Sequence, residues 1–385
     1  MTSLETASRK VASNRTPRHI NSKVVLNMIR RRQPVSRAYL ARTSGLRAST
    51  ISLIVEELIA SKWVLESKVA KSSRGRKPIL LSVNDRRCVI ALDIHPGQTT
   101  VAVADVGGRI VAQNVLSLPS KPSQAIGAIT KAIRQVLEMN PDRQFEGIGI
   151  CLPGRTDAGA RSLIFAPNLR WPVVRLKSRI ERDTGLPVRM DNVANACALA
   201  EVWFGDSDGK HDLVVVEVSE GLSAGILVNQ AIARGERGMA GEFGHIQITD
   251  DGPLCDCGNH GCWETLASNR AAIRFYEEIS GTKRQMTFTG LLRLANAQDP
   301  AAVAAMERVA ENLGRGMRMI VAALAPTEII VVGEITSLWH TIGPKVELSL
   351  RGSSLASSTR VRPAYDGASA RLRSAVALVL AAHAF

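Results

Sequence analysis

Cys255-Asp256-Cys257-Gly258-Asn259-His260-Gly261-Cys262-Trp263-Glu264 crowds three thiols and two carboxylates into ten residues. Zinc takes four nitrogen or sulfur donors in a tetrahedron. A loop that Gly258 and Gly261 let double back can supply three of them from Cys255, Cys257 and Cys262. His245, ten residues before Cys255, is the expected fourth ligand, and His260 competes with it for the nitrogen position. A full set of protein ligands leaves no place for a metal-bound water, so the ion is expected to be structural and to stiffen the loop carrying Glu264. The alternative use of these cysteines is in disulfides or as buried free thiols. Against it, Cys255 and Cys257 are too close in sequence to bridge comfortably, and nothing else points to export. Cys88, Cys151 and Cys197 sit in apolar runs and are expected to be small core residues.

With 385 residues, 45% of them apolar and 22% charged, the chain can bury two or three cores. No apolar run approaches the roughly 20 residues of a membrane span, and the polar, basic first twenty lack the apolar stretch of a signal peptide. A soluble, cytoplasmic (nucleoid-associated) protein is expected. Charge is unevenly placed: residues 1–80 hold 17 Lys and Arg against four acids, while the remainder carries 32 basic against 31 acidic residues. A cationic field confined to one segment of a balanced chain points to a nucleic-acid module attached to a body that binds something else.

Past a basic arm over residues 1–20, the pattern over 21–84 becomes helical. Val24, Val25, Met28 and Ile29 form an apolar stripe on a first helix that ends near Gln33-Pro34. Ser36 caps a short second helix with Tyr39 and Leu40, and Gly45 supplies a sharp turn. A third helix, from about Arg47 to Ser61, buries Ile51, Ile54, Val55 and Leu58. This is the helix-turn-helix arrangement, whose recognition helix reads bases mainly with its N-terminal residues, here Arg47, Ser49, Thr50 and Ser52. Trp63–Glu66 and Ile79–Val83 read as a hairpin around Lys71-Ser-Ser-Arg74-Gly75-Arg76-Lys77-Pro78. Such a basic tip is the wing of a winged helix, placing Arg74, Arg76 and Lys77 at a narrow A·T-rich minor groove.

The body, 87–385, opens with a buried strand, Val89-Ile90-Ala91-Leu92-Asp93-Ile94, then a turn and a second strand, Thr99–Asp105. Together with Gly147-Ile-Gly-Ile-Cys-Leu-Pro-Gly154, Asp191-Asn-Val-Ala-Asn-Ala196, Gly241-Glu-Phe-Gly-His245 and Cys255-x-Cys-Gly-x-x-Gly-Cys262-x-Glu264, it resembles the transcription-regulator branch of the ROK (repressor, open reading frame, kinase) family over essentially its whole length. The resemblance implies an α/β protein: a winged helix-turn-helix followed by an actin/hexokinase-like domain of two RNase-H-like lobes with a structural zinc loop. Lobe 1 is expected over about 87–200 plus a final helix at 368–384, and lobe 2 over about 201–367.

Phosphoryl transfer needs a carboxylate to accept the hydroxyl proton and glycine-rich turns whose N–H groups face phosphates. Where the resemblance places the catalytic aspartate, this chain has Val193. Asp191, two residues away on an extended segment, is roughly 6–7 Å off along the chain. The first phosphate turn is His95-Pro96-Gly97-Gln98, with a donor lost to proline. The second is Ser219–Gly225 with Glu220 inside it, and the adenosine turn is Val331-Val332-Gly333-Glu334. A kinase scaffold with no catalytic residue is expected.

The residues that the resemblance assigns to sugar hydroxyls are kept: Asn192, Glu242, His245 and Glu264, with Gly154, and Arg155 beside it, at the floor. Val193 favours a ligand lacking a free hydroxyl at the reacting carbon: a pentose, a 6-deoxy sugar or a six-substituted derivative. The expected function is a sugar-responsive repressor that binds an inverted-repeat operator as a homodimer or homotetramer. An active ATP-dependent sugar kinase with a DNA-binding appendage, or a regulator answering to a protein partner, are the competing expectations.

Replacing Arg74 and Arg76 with Ala should weaken operator binding most at A·T-flanked sites in a mobility-shift assay. An equal loss on every flank would reduce the wing to a phosphate contact.

Overall fold

The structure, a computed structural model, describes residues 15–67, 78–157, 163–166, 169, 171–205, 212–229, 231–282, 285–352, 358–364 and 367–383. It divides into two compact units: Met1–Arg87 with Ala382–Phe385, and Cys88–Ala381.

The first unit runs α1 (Arg15–Arg32), β1 (Val35–Ser36), α2 (Arg37–Ser44), α3 (Ala48–Ala60), β2 (Val64–Ser67) and β3 (Leu80–Val83). The Ser36 hydroxyl accepts the Tyr39 N–H at the start of α2, and Gly45 at φ +70° ends that helix in the left-handed region where a Cβ is strained. α3 buries Ile51, Ile54, Val55 and Leu58, as its 3.6-residue period requires. Two features differ from expectation. α1 starts at Arg15, inside the stretch expected to be a flexible arm. Its buried face is Ser22, Val25, Leu26 and Ile29, spaced i, i+3, i+4, i+7, while Val24 is exposed and Met28 half-buried. The hairpin also gains β1, giving the order β1-β3-β2 with Val35 opposite Leu81, and the Gln33 side chain accepts the Val83 N–H at 2.7 Å. Arg74, Arg76 and Lys77 lie outside the described residues.

The second unit continues with β4 (Arg87–His95), β5 (Gln98–Asp105), β6 (Ile110–Ser117), α4 (Pro122–Glu138), β7 (Gln144–Leu152), the short pair β8 (Arg155–Thr156) and β9 (Leu163–Phe165), α5 (Leu176–Thr184), β10 (Val188–Asn192) and α6 (Val193–Phe204). Then follow β11 (Leu213–Val218), β12 (Leu222–Val228), β13 (Ala231–Ile232), α7 (Glu264–Ala267), α8 (Asn269–Ser280), α9 (Phe288–Asn296), α10 (Pro300–Leu324), β14 (Glu328–Val332), α11 (Trp339–Arg351), β15 (Arg360–Pro363) and α12 (Ala370–Ala382).

Its two five-stranded sheets are ordered β10-β7-β4-β5-β6 and β13-β12-β11-β14-β15. In chain order both run third, second, first, fourth, fifth, with an antiparallel meander at one side and parallel strands at the other. That repeat is what a duplicated lobe requires. β4 is buried along nearly its whole length, which explains its unbroken apolar run. α12 closes on the first sheet from the chain's far end: a Cβ at Gly149 on β7 would lie 1.8 Å from the Ala375 carbonyl oxygen, so only glycine lets strand and helix meet.

In the second lobe, Trp263 is fully buried and its Nε1 donates to the Asn312 carbonyl on α10 at 2.9 Å. This pins the cysteine loop to the core. A Cβ at Gly316 would come within 2.1 Å of the Trp263 ring. Gly→Ala in a helix ordinarily gains about 1 kcal/mol, but here the ring has nowhere to go. Gly316→Ala should therefore destabilise the protein by about 1–3 kcal/mol, read as a lower urea midpoint at unchanged slope.

Candidate functional site

Glu242 and His245 share a 3-10 turn (Glu242–His245) entered through Gly241 at φ +93°. Residues three apart eclipse in such a turn, and Glu242 Oε2 lies 3.6 Å from His245 Nε2. A Cβ at Gly241 would sit 1.8 Å from the Ala224 carbonyl oxygen, and one at Gly244 2.2 Å from that of Leu222. The two glycines let the turn lie flat on β12.

His245 Nδ1 faces the cysteine loop, 3.4 Å from Cys255 Sγ. Donor atoms of His245, Cys255 and Cys257 all lie within 4.8 Å of one another, and Cys262 Sγ is 3.6 Å from Cys257 Sγ. Zinc–sulfur bonds of about 2.3 Å in a tetrahedron put sulfurs roughly 3.8 Å apart, so the His245, Cys255 and Cys257 cluster and the Cys257–Cys262 spacing are of the size a zinc site needs, with Cys262 beside Cys257 and outside the three-residue cluster. The Cys262 thiol is also 3.3 Å from the His245 carbonyl oxygen. His260, the competing nitrogen donor, directs Nδ1 to the Gly252 carbonyl oxygen at 3.2 Å. Burial pushes the Cys255 and Cys262 thiols up, so a metal must displace protons to bind them. Cys88, Cys151 and Cys197 are buried, as expected.

One cleft between the lobes is lined by Gly154, Arg155, Asn192, Val193, Glu242, His245 and Glu264. Several of these are held by the chain itself. Asn192 caps α6: its Oδ1 accepts the Ala194 N–H at 2.8 Å and its Nδ2 donates to the Gly154 carbonyl at 2.7 Å, leaving one N–H. Glu264 accepts the Leu222 N–H at 2.9 Å and pairs with Arg270 at 3.4 Å. Glu242 is pushed up by burial, against the pull of His245 and Arg155.

Val193 is 1% exposed, the first residue of α6 rather than part of an extended segment. Strand geometry between Asp191 and Val193 therefore fails at Asn192. Asp191 is buried outside the cleft, accepting the Asn192 N–H at 2.8 Å and paired with Arg234 at 2.5 Å. It is 1% exposed and is not among the residues lining that cleft. In the turn after β11, the Ser219 N–H goes to the Gly221 carbonyl and the Glu220 carbonyl accepts from Arg270. The Leu222 N–H is already held by Glu264. These donors are committed inside the chain.

Sequence reading placed Ser219 and Ser223 only on a phosphate turn and missed Glu217 and Asp256 in the cleft wall, along with a buried group formed by Asp93, Glu217 and Arg371. The usable signal was Arg371 itself, a cation inside the apolar run of the last helix, which has to find a carboxylate.

In the first unit, Arg47 and Ser49 are exposed and Thr50 and Ser52 half-exposed along the start of α3, beside Leu53 at 49% exposure. The first turn holds no acid, and Glu56 and Glu57 stand on the later half. Only the N-terminal half suits a polyanion.

Residues 89–382 match the ROK family model. The chain is 30% identical over 329 residues to the xylose repressor of Bacillus subtilis (strain 168), covering 84% of this chain and 85% of that protein. A crystal structure of a ROK family transcriptional regulator, a homologue of the E. coli MLC protein, aligns with TM-score 0.77 at 26% identity over 94% of this chain and 96% of that one. A ROK family glucokinase from Streptomyces griseus, solved with glucose and AMPPNP, aligns with TM-score 0.69 at 29% identity over 76% and 98%.

Purified protein should carry one zinc per chain by elemental analysis, and Cys257→Ser should lose it. Because thiol protons must leave, apparent zinc affinity in a chelator competition should fall as pH is lowered from 8 to 6. A pH-independent affinity would contradict the thiolate ligand set.

Proposed function

The chain belongs to the ROK family, and on that footing we propose that it is a sugar-responsive DNA-binding transcriptional regulator, a repressor of carbohydrate-utilisation genes. The observation that carries this reading is Val193 in the wall of a cleft that also carries Glu242, His245 and Glu264. An isopropyl group cannot take a proton from a hydroxyl, while Glu242, His245 and Glu264 beside it can bind hydroxyls that both donate and accept. The polyanion-compatible half of α3 supports the DNA-binding half of the proposal. Similarity to a xylose repressor favours the pentose among the ligands that Val193 admits.

His245, Cys255, Cys257 and Cys262 are the residues that would hold a zinc ion. Bound there, zinc would supply rigidity to the loop and fix the His245 tautomer, with no open position for chemistry. With Nδ1 committed to the metal, Nε2 remains for a ligand hydroxyl, and Glu242 beside it orients the ring. Asn192, through its cap and its bond to Gly154, holds the cleft floor in register with α6.

Ligand in the cleft would shift the equilibrium between two lobe arrangements by its differential affinity for them, and so change operator occupancy. The two-fold symmetry of an inverted-repeat operator implies a homodimer or dimer of dimers, acting on DNA in the cytoplasm.

A mobility-shift assay on the chain's own upstream region, across xylose, fucose, glucose and N-acetylglucosamine 6-phosphate, tests this. Release by a pentose or 6-deoxy sugar is expected, with no ADP formed from ATP in a coupled assay. Operator affinity should fall with salt at a log-log slope of about −0.9 per neutralised phosphate. ATP turnover with any of these sugars would sink the proposal.

A further inference from the structure

Asp93 lies near the end of β4 in the first sheet, and Glu217 near the end of β11 in the second. The two strands hold equivalent places in the repeated strand order. Arg371 reaches both from α12: Nε donates to the Asp93 carboxylate at 2.9 and 3.1 Å, a terminal nitrogen meets it at 2.9 Å, and Nη1 meets Glu217 Oε1 at 2.6 Å. All three residues are less than 9% exposed. His95 adds a contact to Asp93 at 3.0 Å. Glu217 also lines the sugar cleft, alongside Val193 and Ser219.

The two arms of this group are unequal. Asp93 takes three charge-assisted contacts from two guanidinium nitrogens, and Glu217 a single one. Burial would push the Asp93 carboxyl up, but Arg371 and His95 overcome it and hold it down. At Glu217 burial wins and the carboxyl is pushed up despite Arg371. Asp93 is thus the anchor and Glu217 the partner that can be given up.

We propose that Arg371 is a positioning residue that couples the sugar cleft to the spacing of the two lobes: it ties Glu217 in the cleft wall to Asp93 in the opposite sheet, and a ligand hydroxyl that engages Glu217 loosens that tie. The inference rests on the sugar-responsive reading and adds the residue through which the response passes. No nucleotide is needed, since the guanidinium itself neutralises the carboxylates that face each other there. A ligand that takes Glu217 competes with Arg371, so binding and lobe spacing are linked through one side chain.

The test uses the full chain, its operator fragment and D-xylose or D-glucose as probes. It reads two quantities: sugar affinity by titration calorimetry, and the ratio of operator Kd with and without saturating sugar. The parent should show a ratio of at least about tenfold, of the order of ordinary allosteric coupling. Arg371→Met removes the competitor, so the variant should bind the sugar at least as tightly as the parent while its ratio falls below about twofold. Arg371→Lys, with one charge and no fork, should fall between them. A purely structural role would weaken sugar binding in the Met variant and leave the Lys variant parent-like, and either result overturns the proposal. If the Met variant does not fold, Glu217→Gln serves instead: it keeps an acceptor for Arg371, and its ratio should drop at least about threefold, the level separating coupling from assay scatter. An unchanged ratio there rejects the mechanism. A parent insensitive to both sugars, and to fucose and N-acetylglucosamine 6-phosphate as well, overturns the sensor reading itself, whereas a responsive parent with an equally responsive Met variant overturns only the role of Arg371.

Discussion

Backbone approaches side-chain-free backbone at Gly241, Gly244 and Gly261, and the site depends on those approaches. A Cβ at any of them would fall within about 2 Å of a carbonyl oxygen, those of Ala224, Leu222 and Thr249 respectively. Without that clearance the 3-10 turn could not lie on β12, nor the cysteine loop fold back beneath it. One wall then serves two chemistries. His245 turns Nδ1 to sulfur and Nε2 to a carboxylate, and Glu264, one residue past the buried Trp263, reaches back to the Leu222 N–H. Because Trp263 is packed against α10, the wall is held by the hydrophobic core as well as by the thiols.

On the proposed reading, the cleft holds a polar ligand and does not transform it. Reaction requires a free base and free donors aimed at the developing charge. Here the position that the family resemblance gives to the base is Val193, the nearest acid in sequence, Asp191, is paired with Arg234, and the Ser219 and Leu222 amides flanking the turn after β11 are bonded within the chain. Glu220 adds negative charge beside them. Binding requires only complementary donors and acceptors, which Glu242, His245 and Glu264 retain.

Much of this was legible from residues alone, for identifiable reasons. The α3 face emerged from a 3.6-residue period, the α2 cap from a serine three residues ahead of its partner amide, and the cysteine loop from donor spacing. All are local signals. The α1 face was misplaced because adjacent apolar pairs were read as a stripe where the true stripe begins with buried Ser22, a polar residue that hydropathy discounts. Strand β1 is two residues long and owes its existence to pairing with Leu80 and Leu81, more than forty residues on, so no local pattern announces it. The displacement of Asp191 depended on where a strand gives way to a helix, and Asn192, which makes that change by capping α6, had been assigned only to ligand. The Arg371 group spans 278 positions, beyond any motif.

Position in the chain gives Arg371 one further consequence. A repeated fold brings matching acids face to face at its seam, and the cation that discharges them is carried on α12, which follows both sheets in the chain. The first sheet likewise awaits Ala375 to cover Gly149 and Ser374 to meet Cys151. In chain order the acids of both lobes and the first sheet all precede α12, the element that pairs and covers them. A body lacking α12 would leave that seam without its cation and that sheet without its cover.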